Sequence, residues 1–275
     1  MSAVARQPAG RRGIAAVRLP GVNRATGVGL ATVLVLLLLW YLLTSLTEVI
    51  DPARFPSPED FLQALRQIAV TGYAGGTLVE QILQSLWLVA TGFTVAAAVG
   101  VPLGFAMGYD RRVEAFVNPV FLLLRPIPPL AWIPLAIVWL GLSDAAKIMV
   151  IFVAAFVPSV INTYTGVRNI NRTLVEAAQA HGADPWRIIR EVYLPDALPM
   201  IFTGLRLSLQ ATWTTLVAAE LVGAFLGLGR VLSTAYRDIN PAMILVAMVV
   251  IGIAGAATTQ LLALVERRVI RWRTL

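Results

Sequence analysis

Two charged side chains, Arg125 and Glu220, stand inside stretches of sequence that are otherwise apolar. A charge at the centre of a membrane span costs about 2.5 to 3.5 kcal/mol, so such residues usually face a protein interior or a water-filled path. The guanidinium of Arg125 is a planar fork of donors that suits a sulfonate, carboxylate or nitrate group. A structural ion pair between Arg125 and Glu220 would explain the same residues, and the sequence leaves both interpretations open.

Polar and aromatic residues near these charges are further candidates for a solute pathway. Pro128 and Trp132 follow Arg125 in the same apolar stretch. The stretch that precedes Glu220 is rich in hydroxyl, amide and indole groups, from Gln210, Thr212, Trp213, Thr214 and Thr215. Weaker candidates of the same kind are Gln84, Ser85 and Asn162. Hydroxyl groups also hydrogen-bond between packed helices, so ordinary packing is the alternative role for these residues.

Cysteine is absent from the chain and histidine occurs once, as His181. This composition excludes disulfides, thiolate metal sites and cysteine nucleophiles, and it makes a histidine-rich metal site improbable. No pair of carboxylates falls within the apolar stretches, so a membrane-embedded hydrolase has little support. We therefore predict a non-enzymatic chain with no catalytic residues, no metal and no cofactor.

Apolar segments long enough to cross a bilayer must position these residues. The chain has 275 residues, of which 58% are hydrophobic and 13% charged, whereas soluble domains contain about 25% charged residues. Six segments can span about 30 Å of hydrocarbon as helices. They are predicted at 26–47, 82–109, 115–140, 146–167, 199–222 and 241–265. The sequence thus predicts an all-α integral membrane domain over 26–265, between basic tails at 1–25 and 266–275.

The arginines and the one lysine indicate how the segments are oriented. Positive charge concentrates in the cytoplasmic loops of membrane proteins. If the N-terminus is cytoplasmic, 15 basic residues lie inside and 5 outside. We expect six spans with both termini in the cytoplasm. The net charge of +7 is placed beside apolar segments, which does not favour nucleic-acid binding.

Two local patterns describe elements between and within the spans. The segment 115–140 contains Pro126, Pro128, Pro129 and Pro134, and prolines remove backbone donors, so this helix should be kinked or interrupted. Interrupted backbone at membrane depth is tolerated beside protein or a water-filled cavity, although a proline-kinked packing helix is the alternative. In the first outside loop, Ser57, Pro58 and Asp60 predict the start of a short amphipathic helix at the outer surface. Its apolar stripe comprises Phe61, Leu62, Leu65 and Ile68.

The longest polar insert, 168–198, lies between the fourth and fifth spans. Thr173 and Glu176 form a Thr-x-x-Glu pattern that predicts a helix start, and Gly182 should end that helix. Asp184 and Pro185 predict a second start, and the pair Leu194 and Pro195 should stop the second helix. Trp186 near the tip is large and amphipathic, which is typical of protein interfaces. A solvated hairpin without a partner is the simpler alternative.

The spacing in this insert resembles the loop signature of the permease subunits of bacterial ATP-binding-cassette (ABC) importers. That signature is Glu-Ala-Ala, three residues, Gly, nine residues, an aliphatic residue, one more residue and Leu-Pro. Val192 stands at the aliphatic position, where isoleucine is usual in the family. The positions that match the signature are Glu176, Ala177, Ala178, Gly182, Leu194 and Pro195. The stretches FPSPEDFLQAL, LLLRPIPPLAWIPLAIVWLGL, ATWTTLVAAELVGAFLGLGRVL and ERRVIRW are similar to permeases of the nitrate, sulfonate and taurine group.

This resemblance implies a type I ABC importer permease with six helices per subunit in the bacterial inner membrane. It further implies a homodimer that takes a small, anionic solute from a periplasmic binding protein. Two copies of a separate ATPase would bind ATP and Mg²⁺ and contact the coupling helix, including Ala183, Asp184, Pro185 and Trp186. The chain itself has no Gly-x-x-x-x-Gly-Lys-Ser/Thr phosphate loop. The alternative is a self-sufficient secondary transporter or channel, which would need its own coupling-ion site.

Overall fold

The computed structural model describes residues 24–46, 51 and 55–271. The described chain is helical, with one isolated bridge between Tyr73 and Gly76. The predicted tails at 1–25 and 266–275 lie partly outside the described residues. The helices are α1 Arg24–Tyr41, α2 Pro58–Val70, α3 Leu78–Tyr109, α4 Arg111–Leu124, α5 Ile133–Leu140, α6 Asp144–Arg168, α7 Arg172–Ala180, α8 Pro185–Ile188, α9 Leu194–Gly223, α10 Leu228–Arg237 and α11 Pro241–Val269.

The six predicted spans correspond to helices that are long and apolar enough to cross a membrane. Four are single spans, namely Gly27–Leu46, Leu78–Tyr109, Asp144–Arg168 and Pro241–Val269. The other two are bent pairs of helices, with an angle of 81° between Arg111–Leu124 and Pro129–Leu140 and of 49° between Pro185–Gly223 and Leu228–Arg237. The predicted end of the first span, Thr47, lies outside the described residues. The sequence prediction did not include α10, which was assigned to an outside loop.

Helices α3, α6 and α9 form the centre of the bundle. Their contact depends on small residues, because side chains at the crossing would hold the backbones apart. A Cβ added at Gly104 would lie 2.5 Å from the carbonyl oxygen of Val160. Between α6 and α9, the hydroxyls of Ser159 and Ser208 are 2.8 Å apart, and both residues are buried. The apolar core of the bundle is therefore completed by short polar contacts between close helices.

The third span is interrupted, as its prolines predicted. Helix α4 ends at Leu124, and a 3₁₀ turn at Pro129–Trp132 leads into α5. Pro128, Pro129 and Pro134 occupy the turn and the first residues of the following helix, where a missing backbone donor is tolerated. The break turns the chain through 81° and exposes the segment between α4 and α5.

Helices α2, α10 and the first turns of α11 cover one end of the bundle. The capping box of Ser57 and Asp60 is confirmed, since the Ser57 hydroxyl accepts from the Asp60 N–H and the Asp60 side chain accepts from the Ser57 N–H. Ile68 is buried against α10 and α11, whereas Leu62 is exposed, so Leu62 does not belong to the packed stripe. Phe61 and Leu65 pack against the same cluster, so the predicted face of α2 is confirmed except at Leu62.

The opposite end of the bundle, called here the loop end, carries α7 and the ends of α3, α6 and α11. Tyr109 of α3 contacts Tyr193 edge to face, with ring centroids 5.1 Å apart. Arg206 forms an ion pair with the buried Glu266, which joins α9 to α11 near this end. Helix α11 continues to Val269, beyond the predicted end of the span at residue 265.

Candidate functional site: the loop-end helices and two polar regions of the spans

The first helix of the polar insert begins two residues earlier than its Thr-x-x-Glu pattern indicates. Asn171 is its N-cap, and the Asn171 side-chain oxygen accepts from the Thr173 N–H at 3.0 Å. The prediction of a cap at Thr173 with Glu176 as its partner is therefore wrong. The reason is local competition, because an asparagine side chain reaches the backbone N–H two residues ahead.

Gly182 ends this helix, as predicted. Its φ is +76°, a left-handed conformation that glycine adopts without the steric cost paid by other residues. The Gly182 N–H donates to the Gln179 carbonyl at 2.9 Å, and the Ala183 N–H donates to the Ala178 carbonyl at 3.1 Å. No atom of the described residues approaches a Cβ built on Gly182 within 4 Å, so its backbone conformation, and not crowding, calls for glycine.

The second helix of the insert continues into the fifth span. Asp184 and Pro185 start α8 as predicted, although the Asp184 side chain makes no capping hydrogen bond. Leu194 and Pro195 do not stop the helix, which is a correction to the sequence prediction. A π-helical turn at Ile189–Tyr193 precedes Pro195, and a wider turn of this kind accommodates the missing donor of the proline. Residues Pro185–Gly223 thus form one helical element.

The outer surface of the insert is exposed and carries large apolar side chains. Helix α7 has no buried residue, and Leu174 is 50% exposed. Trp186 is 69% exposed, and it stands in a polar insert where a large amphipathic side chain is a candidate contact for a partner protein. Beneath α7, a polar cleft of about 400 Å³ separates it from the ends of α3 and α6. Its charged lining residues are Arg111, Arg168, Arg172 and Glu176.

Arg125 and Trp132 lie together at the break in the third span. They line one cavity of about 370 Å³ between the break and α6. Pro128, the third candidate from this segment, is exposed in the turn that precedes the 3₁₀ helix. Within the described part of the chain, Arg125 forms no ion pair with Glu220, so the structural alternative for these two charges is not supported. The remaining lining residues of the cavity include Phe121, Phe152, Phe156 and Pro158.

Glu220 is buried and holds the start of α10. It is 1% exposed, and its carboxyl group accepts from the Ser85 hydroxyl at 2.9 Å and from the Gly229 N–H at 2.7 Å. The Leu228 N–H donates to the Ser85 hydroxyl at 2.9 Å. A helix N-terminus leaves its first N–H groups without partners, and buried acceptors satisfy them here. These contacts favour an anchoring role for Glu220 over a position on an open path.

Gln81 belongs to the same network and was missed in the sequence. Its side-chain carbonyl accepts from the Gly227 N–H at 2.6 Å, and its amide donates to the Tyr73 carbonyl at 3.0 Å. Gln81 and Ser85 are four residues apart on one face of an apolar helix, which was the available signal. Among the weaker candidates, Gln84 donates to Asp144 at 2.9 Å, and Asn162 donates to the Pro158 carbonyl at 2.9 Å.

The polar residues of the fifth span divide between two faces of α9. Thr212, Trp213 and Thr215 are buried, and the Trp213 indole donates to Thr258 of α11 at 3.0 Å. Gln210 and Thr214 are exposed, and they lie one turn apart on the same face. Packing therefore separates three structural residues from two that a pathway could use.

Comparison with known proteins identifies the family to which this chain belongs. Residues 100–271 match the family described as the inner membrane component of binding-protein-dependent transport systems. The chain belongs to this family. A Brucella abortus protein named "probable ABC transporter permease protein" is 41% identical over 234 residues, covering 85% of this chain and 90% of that protein. The taurine transport system permease protein of Escherichia coli is 34% identical over 252 residues and 91% of each chain. The bicarbonate transport system permease protein of Synechococcus elongatus is 34% identical over 88% of each chain.

A solved structure supports the fold of this permease. The crystal structure of the methionine ABC transporter MetNI in an inward-facing conformation contains a chain that aligns with a TM-score of 0.60 at 24% identity. The alignment covers 72% of this chain and 96% of that chain. The protein is therefore a membrane-spanning permease subunit of an ABC importer, with the type I fold that the loop signature implied. ABC permeases work with an ATPase and a binding protein, and the exposed insert is the feature of this chain that corresponds to the family signature.

Proposed function

We propose that two copies of this permease form a path through which a small anion enters the cytoplasm. A periplasmic binding protein delivers the anion, and ATPase subunits supply the energy. The observation that carries the proposal is the helical element Pro185–Gly223, which joins the exposed insert to the polar face of α9. Because a helix moves as a body, a displacement at Trp186 is transmitted to Gln210 and Thr214.

The coupling contact is assigned to the outer surface of the insert. Leu174 and Trp186 are exposed apolar side chains at the loop end, and aromatic residues of this kind anchor protein interfaces. Each permease copy would accept one ATPase subunit here, on the residues of the family signature. ATP and Mg²⁺ would bind to the ATPase, since this chain has no phosphate loop.

The path is assigned to the exposed polar face of α9. Thr203, Gln210 and Thr214 are exposed in the single subunit and lie on one side of the helix. The Thr203 and Thr214 hydroxyls donate to carbonyl oxygens of their own helix, so the Gln210 amide is the group of this face that calls for water or a second protein surface. A second copy of the permease around it would form a closed, wet path.

The charge of the solute follows from Arg125 and from the relatives. Two relatives are named for taurine and bicarbonate transport, and both solutes carry an anionic group. Arg125 is exposed at the break in the third span, and no ion pair occupies it within the described residues. A sulfonate, taurine, nitrate or a related anion fits this charge. The loop end would face the cytoplasm, as the distribution of basic residues predicts.

Substitutions in the insert test the coupling. Trp186→Asp and Gly182→Asp are expected to reduce recovery of the ATPase with the permease, or to uncouple hydrolysis from transport. The first removes an exposed apolar contact, and the second strains a left-handed backbone position. Co-purification and ATP hydrolysis stimulated by the loaded binding protein measure the two effects.

A matched control lies at the other end of the bundle. Tyr236 is an aromatic residue of α10 with 77% exposure, so Tyr236→Asp introduces the same charge far from the insert and should leave ATPase recovery unchanged. Normal assembly and normal stimulated hydrolysis in both insert variants would contradict the coupling assignment. Solute flux by the permease alone in liposomes would instead support a self-sufficient transporter.

A further inference from the structure

We propose that the cavity beside Arg125 binds an aromatic anion, such as an aryl sulfonate or an arene carboxylate, as the solute passes the break in the third span. The proposal rests on the proposed import of an anion and names its chemical class. Two features of the cavity carry it: an aromatic wall, and a cation for which the described residues provide no ion-pair partner.

The aromatic wall is formed by three phenylalanines from two helices. Phe152 and Phe156 of α6 stack with ring centroids 5.3 Å apart and an interplanar angle of 23°. Phe121 of α4 meets Phe156 edge to face, at 6.4 Å and 67°. Aromatic rings add to such clusters in stacked or edge-to-face geometry, so a planar ring is the group that this wall suits.

The charged group of the cavity is a donor. Arg125 lines the cavity and makes no ion pair within the described residues. The guanidinium fork suits planar or tetrahedral oxyanions, so an anionic group beside Arg125 would supply acceptors to it. The Trp132 indole N–H is fully buried, so Trp132 offers the cavity its ring and not its N–H.

The volume of the cavity favours binding of an aromatic anion over binding of smaller anions. A dry cavity of about 150 Å³ accommodates benzene. The volume here is about 370 Å³, which has room for a substituted ring together with its charged group. Nitrate and bicarbonate have only four heavy atoms each and would leave most of the aromatic wall uncovered. Taurine carries the anionic group but also an ammonium group, for which this lining offers no carboxylate.

Ligand binding to the full permease–ATPase complex in lipid nanodiscs tests the proposal without the binding protein. Equilibrium dialysis compares benzenesulfonate with methanesulfonate, which keeps the anionic group and lacks the ring, and with benzamide, which keeps the ring and lacks the charge. Benzenesulfonate should bind roughly 10-fold or more tightly than either comparator, since each lacks one of the two recognised groups.

Variants locate the site. Arg125→Gln and Phe156→Leu should each weaken benzenesulfonate binding by about 10-fold, and Trp132→Phe should weaken it by less while keeping the ring. The controls are Arg66→Gln on α2 and Phe116→Leu on α4, which change exposed residues outside the cavity lining and should bind normally. The Trp132→Phe variant keeps the test valid if Arg125→Gln does not fold.

The outcomes test the class of ligand, the location of the site and the proposed function separately. Equal binding of benzenesulfonate and methanesulfonate would overturn the aromatic class, and binding that survives the Arg125 and Phe156 variants would overturn the site. ATP-driven import of another anion by a complex that does not bind benzenesulfonate would refute this inference and leave the proposed function standing. Benzenesulfonate binding by a chain that does not assemble with an ATPase would refute the proposed coupling and leave the cavity assignment standing.

Discussion

Replacing Glu220 with alanine should destabilise the permease by loosening α10 from the bundle. The carboxyl group of Glu220 accepts from the Gly229 N–H at 2.7 Å and from the Ser85 hydroxyl at 2.9 Å, and all these groups are buried. A buried donor left without an acceptor costs about 1 to 3 kcal/mol. Two such donors give an expected loss of about 2 to 6 kcal/mol in the free energy of unfolding.

The measurement is the apparent melting temperature of the purified complex in detergent. A loss of 1 kcal/mol lowers the melting temperature of a chain of this size by about 2 to 4 °C, so Glu220→Ala should lower it on the order of 10 °C. Glu220→Gln keeps an acceptor of similar shape and should lose less than half as much. Arg66→Ala is the control, because Arg66 is exposed on α2, away from the insert, and surface substitutions usually change the free energy of unfolding by less than about 0.5 kcal/mol.

The comparison of stability with transport decides between anchoring and a role in the path. If Glu220→Ala melts at the wild-type temperature but loses solute uptake, the anchoring argument is refuted and a direct role in transport is favoured. If it melts lower, and uptake per folded complex is kept at low temperature, anchoring is supported. If both the melting temperature and solute uptake are normal, the network around Glu220 contributes neither to stability nor to transport.

Three further predictions concern other contacts. Gly104→Val should abolish recovery of folded protein in size-exclusion chromatography because its side chain would meet the α6 backbone, whereas Gly252→Ala, with nothing within 4 Å of its Cβ, should be recovered normally. Arg206→Ala should lower the melting temperature on the order of 10 °C by leaving the buried Glu266 unpaired, and wild-type melting would contradict the ion pair. Burial and the hydrogen bond to an aspartate raise the pKa of Tyr73 above its unfolded value of about 10. The stability that this shift contributes is full below about pH 10 and is lost progressively as the pH rises from there through the raised pKa, and Tyr73→Phe should remove that alkaline loss in melting curves measured against pH.

The local sequence predicted the presence and family of the insert correctly, but it predicted the ends of the insert's helices less well. The spacing of Glu176, Gly182 and Pro195 identified the family, and the left-handed conformation of Gly182 agrees with the predicted helix end. The first cap was misplaced because Asn171 and Thr173 are both good capping residues, and only the folded backbone selects between them. The sequence predicts a helix stop at Pro195, but a preceding π-helical turn allows the helix to continue.

The role of Glu220 could not be obtained from the sequence. Its partner Ser85 is 135 residues away, and the related contact between Gln81 and Gly227 spans 146 residues. No spacing rule links such positions, because their approach depends on the crossing of α3 with α9. The same limitation applies to Arg125 and Trp132, whose common cavity depends on the 81° bend between their helices.

The sequence by itself determined the six apolar segments, the exposed polar insert and the permease family. These properties follow from local composition and short spacing, which act within a single helix or loop. Tertiary structure decided which polar residues are available to a solute. Thr212 and Thr215 are buried whereas Gln210 and Thr214 are exposed, although all four stand within six positions of one helix. The face that α9 buries is set by its contacts with α3, α6 and α11, and those contacts exist only in the folded chain.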